Sequence, residues 1–182
     1  MNNKGYFYYP DRVLRLNSYP DLLHPYFQKA GSPIKEMAEC WGLYQFLTEV
    51  KEVKDKDTLV VIVGDGTTPR LGALLAVMTK WECISIDPAL REIQNIERLT
   101  VIAKGIEEIE DINTDKDLIV VFPHAHVNTS KAIKKVKSEK KKYIVVNPCC
   151  NPGTQLLKTI PIKEKEDKYM LTPHCRIVLY KG

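Results

Sequence analysis

Two glycines and two aspartates carry the clearest chemical signal in the sequence. The run VVIVGDGTTPRLGALLA places Gly64 and Gly66 directly after an apolar stretch, with Asp65, Thr67 and Arg70 around them. Without a Cβ, each glycine lets the chain turn sharply and a ligand approach the backbone. A helix starting next would aim its free N–H groups and positive dipole end at that ligand. Pro69 suits the first turn of such a helix, where its missing N–H would have had no partner. Arg70 adds a cation at the mouth, and Gly72 permits close packing of helix on strand. About twenty residues further on, Asp87 ends the next apolar run, where a carboxylate can accept hydrogen bonds from both hydroxyls of a ribose. Residues 58 to 88 thus spell a Rossmann-type nucleotide site; the plainer alternative is a βαβ unit whose Asp87 only caps the turn before Pro88.

A second group of residues could act on a substrate. His124 and His126 follow one apolar run, Asn147, Cys149 and Cys150 follow another, and His174 with Cys175 precede the last. An imidazole titrates near neutrality and can serve as a general base, and His124 is the better placed of the two candidates. The alternative is that these side chains only bond loop backbone. The set holds enough donors for tetrahedral zinc, but its spacing follows no zinc pattern and no metal is expected.

The elements that must position these groups alternate. Thr58 to Val63 is a β-branched run of the kind buried on both faces of a parallel sheet. Residues 70 to 80 follow as a helix, Glu82 to Ile86 as a strand, and Ala89 to Leu99 as a helical stretch. Thr100 to Ala103, Leu118 to Phe122 and Tyr143 to Val146 complete the strands, with a lysine-rich helix over roughly 129 to 141. Thr159 to Lys163 and Arg176 to Tyr180 form a closing antiparallel pair. Ahead of them all, Ser32-Pro33 starts a helix whose Ile34, Met37, Ala38, Trp41 and Tyr44 form one apolar stripe. Right-handed βαβ units follow, in a mostly parallel sheet with helices on both faces.

Residues 1 to 31 differ from the rest. They hold Tyr6, Tyr8, Tyr9, Tyr19 and Tyr26 with Pro10, Pro20 and Pro25, and no period persists through them. The expectation is an extended aromatic arm lying over its own domain, a substrate or a protein partner, with residues 32 to 182 forming one α/β domain.

Composition sets outer bounds. With 44% hydrophobic and 27% charged residues, a packed soluble core is expected rather than a disordered chain. No run of 18 apolar residues occurs and the N-terminus lacks a secretory pattern, so no membrane contact and a cytoplasmic location are expected. Five cysteines without framework spacing read as reduced thiols. The net charge of +4 concentrates its lysines between Lys131 and Lys142, either a nucleic-acid footprint or the solvated face of a helix.

At these residues the sequence resembles the class I S-adenosylmethionine-dependent methyltransferases, over about residues 32 to 182. The resemblance implies a doubly wound, seven-stranded Rossmann-like sheet of order 3-2-1-4-5-7-6 with an antiparallel last strand. It implies S-adenosylmethionine held by Gly64, Asp65, Gly66, Thr67, Arg70 and Asp87. Ile106 and Glu107, in the turn after the third strand, fall where that family contacts adenine. Thr68-Pro69 stands where the family has its third glycine, so the loop takes another path. The segment Phe122-Pro123-His124-Ala125-His126 matches neither the amino-group nor the ribose-oxygen methyltransferase motif, which leaves the methyl acceptor open. NAD is the competing ligand, but its fingerprint needs a small residue where Pro69 sits. The other reading is a Rossmann-like scaffold without catalysis that could associate with nucleic acid.

Overall fold

The computed structural model describes residues 7–50, 57–91, 95–149 and 155–182. Its centre is β1 (Thr58–Val63), every residue of which is buried, as a continuous β-branched run demands. Parallel neighbours are β2 (Glu82–Ile86) on one side and β5 (Asp117–Pro123) on the other. Beyond β2 lies β3 (Leu99–Ile102), and beyond β5 lie β7 (Lys142–Asn147), β9 (Arg176–Lys181) and β8 (Lys163–Glu166). Pairings to β9 are antiparallel; all others in this sheet are parallel. Counting only the seven strands of this sheet along the chain gives the order 3-2-1-4-5-7-6. The order reverses between β1 and its two neighbours, so their carboxyl ends open a crevice there.

The faces of the sheet are covered unequally. One carries α3 (Pro33–Glu49) and α4 (Arg70–Met78), packed on Val60, Ile62, Ile119 and Val121. The other carries the four-residue helix α5 (Thr129–Ala132) and a small parallel sheet of β4 (Ile112–Thr114) and β6 (Val136–Ser138). The helical stretch expected at Ala89 to Leu99 is a turn and irregular chain where it is described, with 92–94 outside the described residues. The lysine-rich helix expected over 129 to 141 ends at Lys135, where α5 and the 3₁₀ turn that follows it (Ile133–Lys135) give way to β6. Val136 is wholly buried and pairs with Ile112, so burial of that valine in a strand outweighs helix propensity. Several of the lysines are spent within the fold: Lys137 meets Asp111 at 2.6 Å, Lys140 meets Asp57 at 2.6 Å, and half-buried Lys142 donates to the Ile133 and Val136 carbonyls. The strand expected at Thr159 to Lys163 lies later, at Lys163–Glu166.

The N-terminal segment is not extended. Over its described part it forms α1 (Tyr8–Leu14), a π-type turn (Tyr19–Leu23) and α2 (His24–Phe27). Pro10, Pro20 and Pro25 each fall in the first turn of one of these pieces, where a missing N–H costs nothing. Tyr9, Val13, Leu23, Tyr26 and Phe27 are buried in the same core as α3 and α4. The Tyr9 hydroxyl donates to Asp167 Oδ2 at 2.6 Å, deep inside the protein. That bond ties α1 to the connection between β8 and β9, where Asp167 also accepts from Tyr169 N–H and pairs with Lys165. Met170 of the same connection seats against Gly42 of α3, where a Cβ would stand 2.7 Å from its Cγ. Among the described residues no helix is long and apolar enough to cross a membrane.

Removing the Tyr9 hydroxyl leaves buried Asp167 one donor short. Tyr9→Phe is therefore expected to lower unfolding stability by about 1–3 kcal/mol in urea denaturation; an unchanged midpoint would show that the bond contributes nothing.

Candidate functional site

The turn after β1 is built from left-handed glycines. Gly64 has φ 85° and Gly66 φ 77°, a region where a side chain is strained. Gly64 N–H donates to Ile86 O, which holds the turn against β2, and a Cβ at Gly64 would stand 2.7 Å from Ala125 Cβ. Between the glycines, Asp65 turns inward. Its Oδ1 accepts from Leu71 N–H at 3.0 Å, and its Oδ2 from Gly72 N–H at 2.9 Å and Ser85 Oγ at 2.8 Å. Two of the α4 N–H groups expected to face a ligand are thus taken by Asp65. Gly72 is glycine because Ser85 Oγ and Leu99 occupy the space a Cβ would need. Burial pushes the Asp65 carboxyl up to about 6, against the pull of these hydrogen bonds and of Arg70.

Asp87 faces the same turn from the tip of β2. Its Oδ2 accepts from Gly66 N–H at 3.0 Å and its Oδ1 from Ala89 N–H at 2.8 Å. It therefore caps its own turn and also stands on the wall of a cavity of about 470 Å³. Arg70 lies over the turn, with Nη2 3.0 Å from where a Gly66 Cβ would be. It is held by Glu36 (3.3 Å) and by Thr68 Oγ1 (2.6 Å). Thr68, in the place of a third glycine, donates in turn to the Tyr26 carbonyl, so the N-terminal segment steadies the loop. Thr67 is exposed and outside the cavity lining. The side chains expected near adenine also lie outside the lining: Ile106 is 1% exposed in the core and Glu107 points to solvent.

The loops after β5 and β7 and before β9 do converge. His124 has φ 52°, uncommon for a residue with a side chain and worth about 1–3 kcal/mol of strain. Its N–H donates to Asn147 O at 2.9 Å, and the buried Asn147 amide donates to the His174 and Arg176 carbonyls at 2.8 Å. The His174 ring stands edge-on to His124 with centroids 6.2 Å apart. His126 Nε2 lies 3.2 Å from Cys149 Sγ. Gln155 links those two loops, donating to Ala125 O and Cys149 Sγ and accepting from Cys149 N–H. Cys150 lies outside the described residues. Cys175 is half-buried and takes no part in the lining. Among the described residues no group of three or more His, Cys, Asp or Glu side chains is placed to hold a metal.

The far wall of the cavity comes from α3, whose polar residues the sequence reading left unassigned. Lys35, Glu36, Glu39 and Cys40 all line it. Glu39 is 5% exposed, and its Oε1 lies 3.2 Å from His124 Nε2. The contact is off-line: Glu39 Oε1 and both ring nitrogens of His124 are buried without a well-aligned hydrogen bond. Burial by itself would raise the Glu39 carboxyl, but His124, Lys35 and the Thr172 hydroxyl together hold it below the usual carboxylate range. Positions 37 to 43 of α3 are all buried, too broad for a one-sided helix, and Glu39 is the charged residue within them.

No family model matches the sequence, and no curated protein matches it. In three dimensions the chain is similar to a S-adenosylmethionine-dependent methyltransferase of the DUF858 family from Leishmania major. That match has 13% identity and a TM-score of 0.53, covering 90% of this chain and 82% of the other. A variant of MtNAS solved in complex with S-adenosylmethionine is similar at 13% identity and a TM-score of 0.52, covering 94% and 75%. The chain has the Rossmann-like fold of class I S-adenosylmethionine-dependent methyltransferases, including the antiparallel strand near the sheet edge.

Asp65 gives the site a pH signature. Because its pKa rises from 3.8 to about 6 on folding, its contribution is fully present below pH 3.8 and lost as pH rises through 6. Asp65→Asn removes that titration, so the variant is expected to gain about 2–3 kcal/mol on the wild type between pH 4 and pH 7. Urea unfolding across this range measures it, and a constant difference would contradict the shift.

Proposed function

We propose that the chain binds S-adenosylmethionine and acts as a methyltransferase, with the donor in the cavity lined by the glycine turn and Asp87. The observation that carries this reading is the bond from Gly66 N–H to the Asp87 carboxylate, which makes turn and acid one wall of the cavity. A carboxylate offers about four lone-pair sites. Two are used by Gly66 and Ala89, which leaves capacity for the two hydroxyls of a ribose. Bare backbone at Gly64 and Gly66 lets the nucleoside approach closely, and about 470 Å³ lies in the range of small-molecule sites. The lining sets Glu36, Glu39, Asp65 and Asp87 against Lys35 and Arg70, an excess of negative charge that suits a sulfonium donor. The donor, when bound, supplies the electrophilic methyl group. The chain supplies Asp87 for the ribose, Arg70 or Lys35 for a carboxylate, and His124, with His126 at the rim, beside the acceptor. Since Ile106 is buried and Glu107 exposed, the turn they occupy would meet adenine through its backbone.

One observation favours the alternative of a Rossmann-like binding protein without catalysis: Arg70 already lies over Gly66, braced by Glu36 and Thr68. Calorimetry with S-adenosylmethionine and S-adenosylhomocysteine separates the two readings. Binding is expected for both, with Asp87→Ala weakening it by about 10–100-fold, the worth of one or two hydrogen bonds to a charged group. Silence with both ligands at millimolar concentration would sink the donor site.

A further inference from the structure

The Glu39–His124 contact joins α3 to the loop after β5 at the cavity wall. Asn147 fixes the His124 backbone and the β9 approach, while the Glu39 and His124 side chains meet only across the cavity wall. Glu39 is an anion more than nine-tenths buried; Lys35 Nζ stands 3.5 Å and His124 Nε2 3.2 Å from its Oε1, and neither makes an aligned hydrogen bond to it. Loosely paired in this way at a cavity wall, the two side chains have hydrogen-bonding capacity left for a ligand. The imidazole nitrogens are not equivalent. A carboxylate oxygen 3.2 Å from Nε2 favours the tautomer with its proton there, which leaves Nδ1 as a lone-pair acceptor. Nδ1 also has no partner; it is buried, so a substrate reaches it once the His124 ring turns toward the cavity. Carboxylate, oriented imidazole and an unused acceptor nitrogen are the parts of a proton-abstracting site. Their misalignment in the ligand-free cavity is what such sites show before the substrate draws the contacts tight.

We propose that Glu39 and His124 form a carboxylate–imidazole dyad that takes the proton of an amine acceptor, an assignment that rests on the donor site proposed above. Glu39 is the positioning residue and His124 the catalytic one. The acceptor enters as an ammonium, attracted by the excess of carboxylates on the wall, and gives one proton to Nδ1. Its freed lone pair forms the N–C bond to the transferred methyl as the C–S bond of the sulfonium donor breaks, the electron pair staying on sulfur. The product amine keeps the positive charge, and the imidazolium, held beside Glu39, later returns its proton to solvent. An ammonium gives up its proton far more readily than an aliphatic hydroxyl, so the amine is the acceptor that such a base can activate.

The test uses the intact protein with 15N-labelled histidine, the His124 signals assigned by their loss in His124→Gln. The expected result is the Nε2–H tautomer in the wild type at pH 8 and a mixture of tautomers in Glu39→Ala. Methylammonium should perturb Nδ1 at about tenfold lower concentration than methanol or tetramethylammonium, which lack an N–H to give. An Nδ1–H tautomer in the wild type, or equal responses to the three probes, would overturn the dyad. Where calorimetry shows the donor bound, Glu39→Gln is expected to slow methylation of amines about 100-fold while the donor's Kd stays within about twofold. Preferential methylation of alcohols would overturn the amine class. The expected NMR response without donor binding would reject the methyl-transfer reading and leave the amine-binding dyad standing, because neither NMR readout needs the donor.

Discussion

One inward-facing carboxylate sets the geometry of the whole sheet edge. Asp65 joins the end of β1 to the first turn of α4 and to Ser85 of β2 through three hydrogen bonds. Satisfying them forces the chain on either side into left-handed turns, which only glycine adopts without strain, and brings α4 so near β2 that residue 72 must also be glycine. The negative charge at the start of α4 complements the helix dipole there. With Asp65 turned inward, Asp87 is the acid that meets the glycine turn on the cavity wall, and Gly66 N–H couples the two.

The opposite wall depends on α3, which serves two surroundings at once. Its apolar residues join the core with α1, α2 and α4, while Glu36 and Glu39 face the cavity. The aromatic segment before it is structural support for this arrangement. Tyr9 holds the β8–β9 connection through Asp167, and that connection carries Thr172 and His174 to the cavity. Thr68 meanwhile bonds the Tyr26 carbonyl, so the same segment steadies the glycine loop from the other side. Residues far from the crevice in sequence thereby fix the loops that shape it.

Much of this was legible in the residues themselves. Thr58 to Val63 could only be a strand buried on both faces, and Ser32-Pro33 marked the start of α3 without ambiguity. Asp87 was recognisable from its distance to the glycines. What failed did so for physical reasons. The lysines between 131 and 142 imitate the polar face of a helix, but Val136 and half-buried Lys142 belong to strands whose partners lie elsewhere in the chain. The prolines of the first thirty residues suggested extension, yet each opens a short helix. Glu39 escaped notice because a glutamate within a helix reads as solvated until the helix is known to be covered on several sides.

The account turns on whether the Gly66–Asp87 wall receives a nucleoside. A crystal structure of the protein grown with S-adenosylhomocysteine tests this directly. Ribose hydroxyls within 2.6–3.2 Å of the Asp87 carboxylate, with Arg70 moved off Gly66, are expected. A cavity that stays closed by Arg70, or a ligand bound away from Asp87, would contradict it.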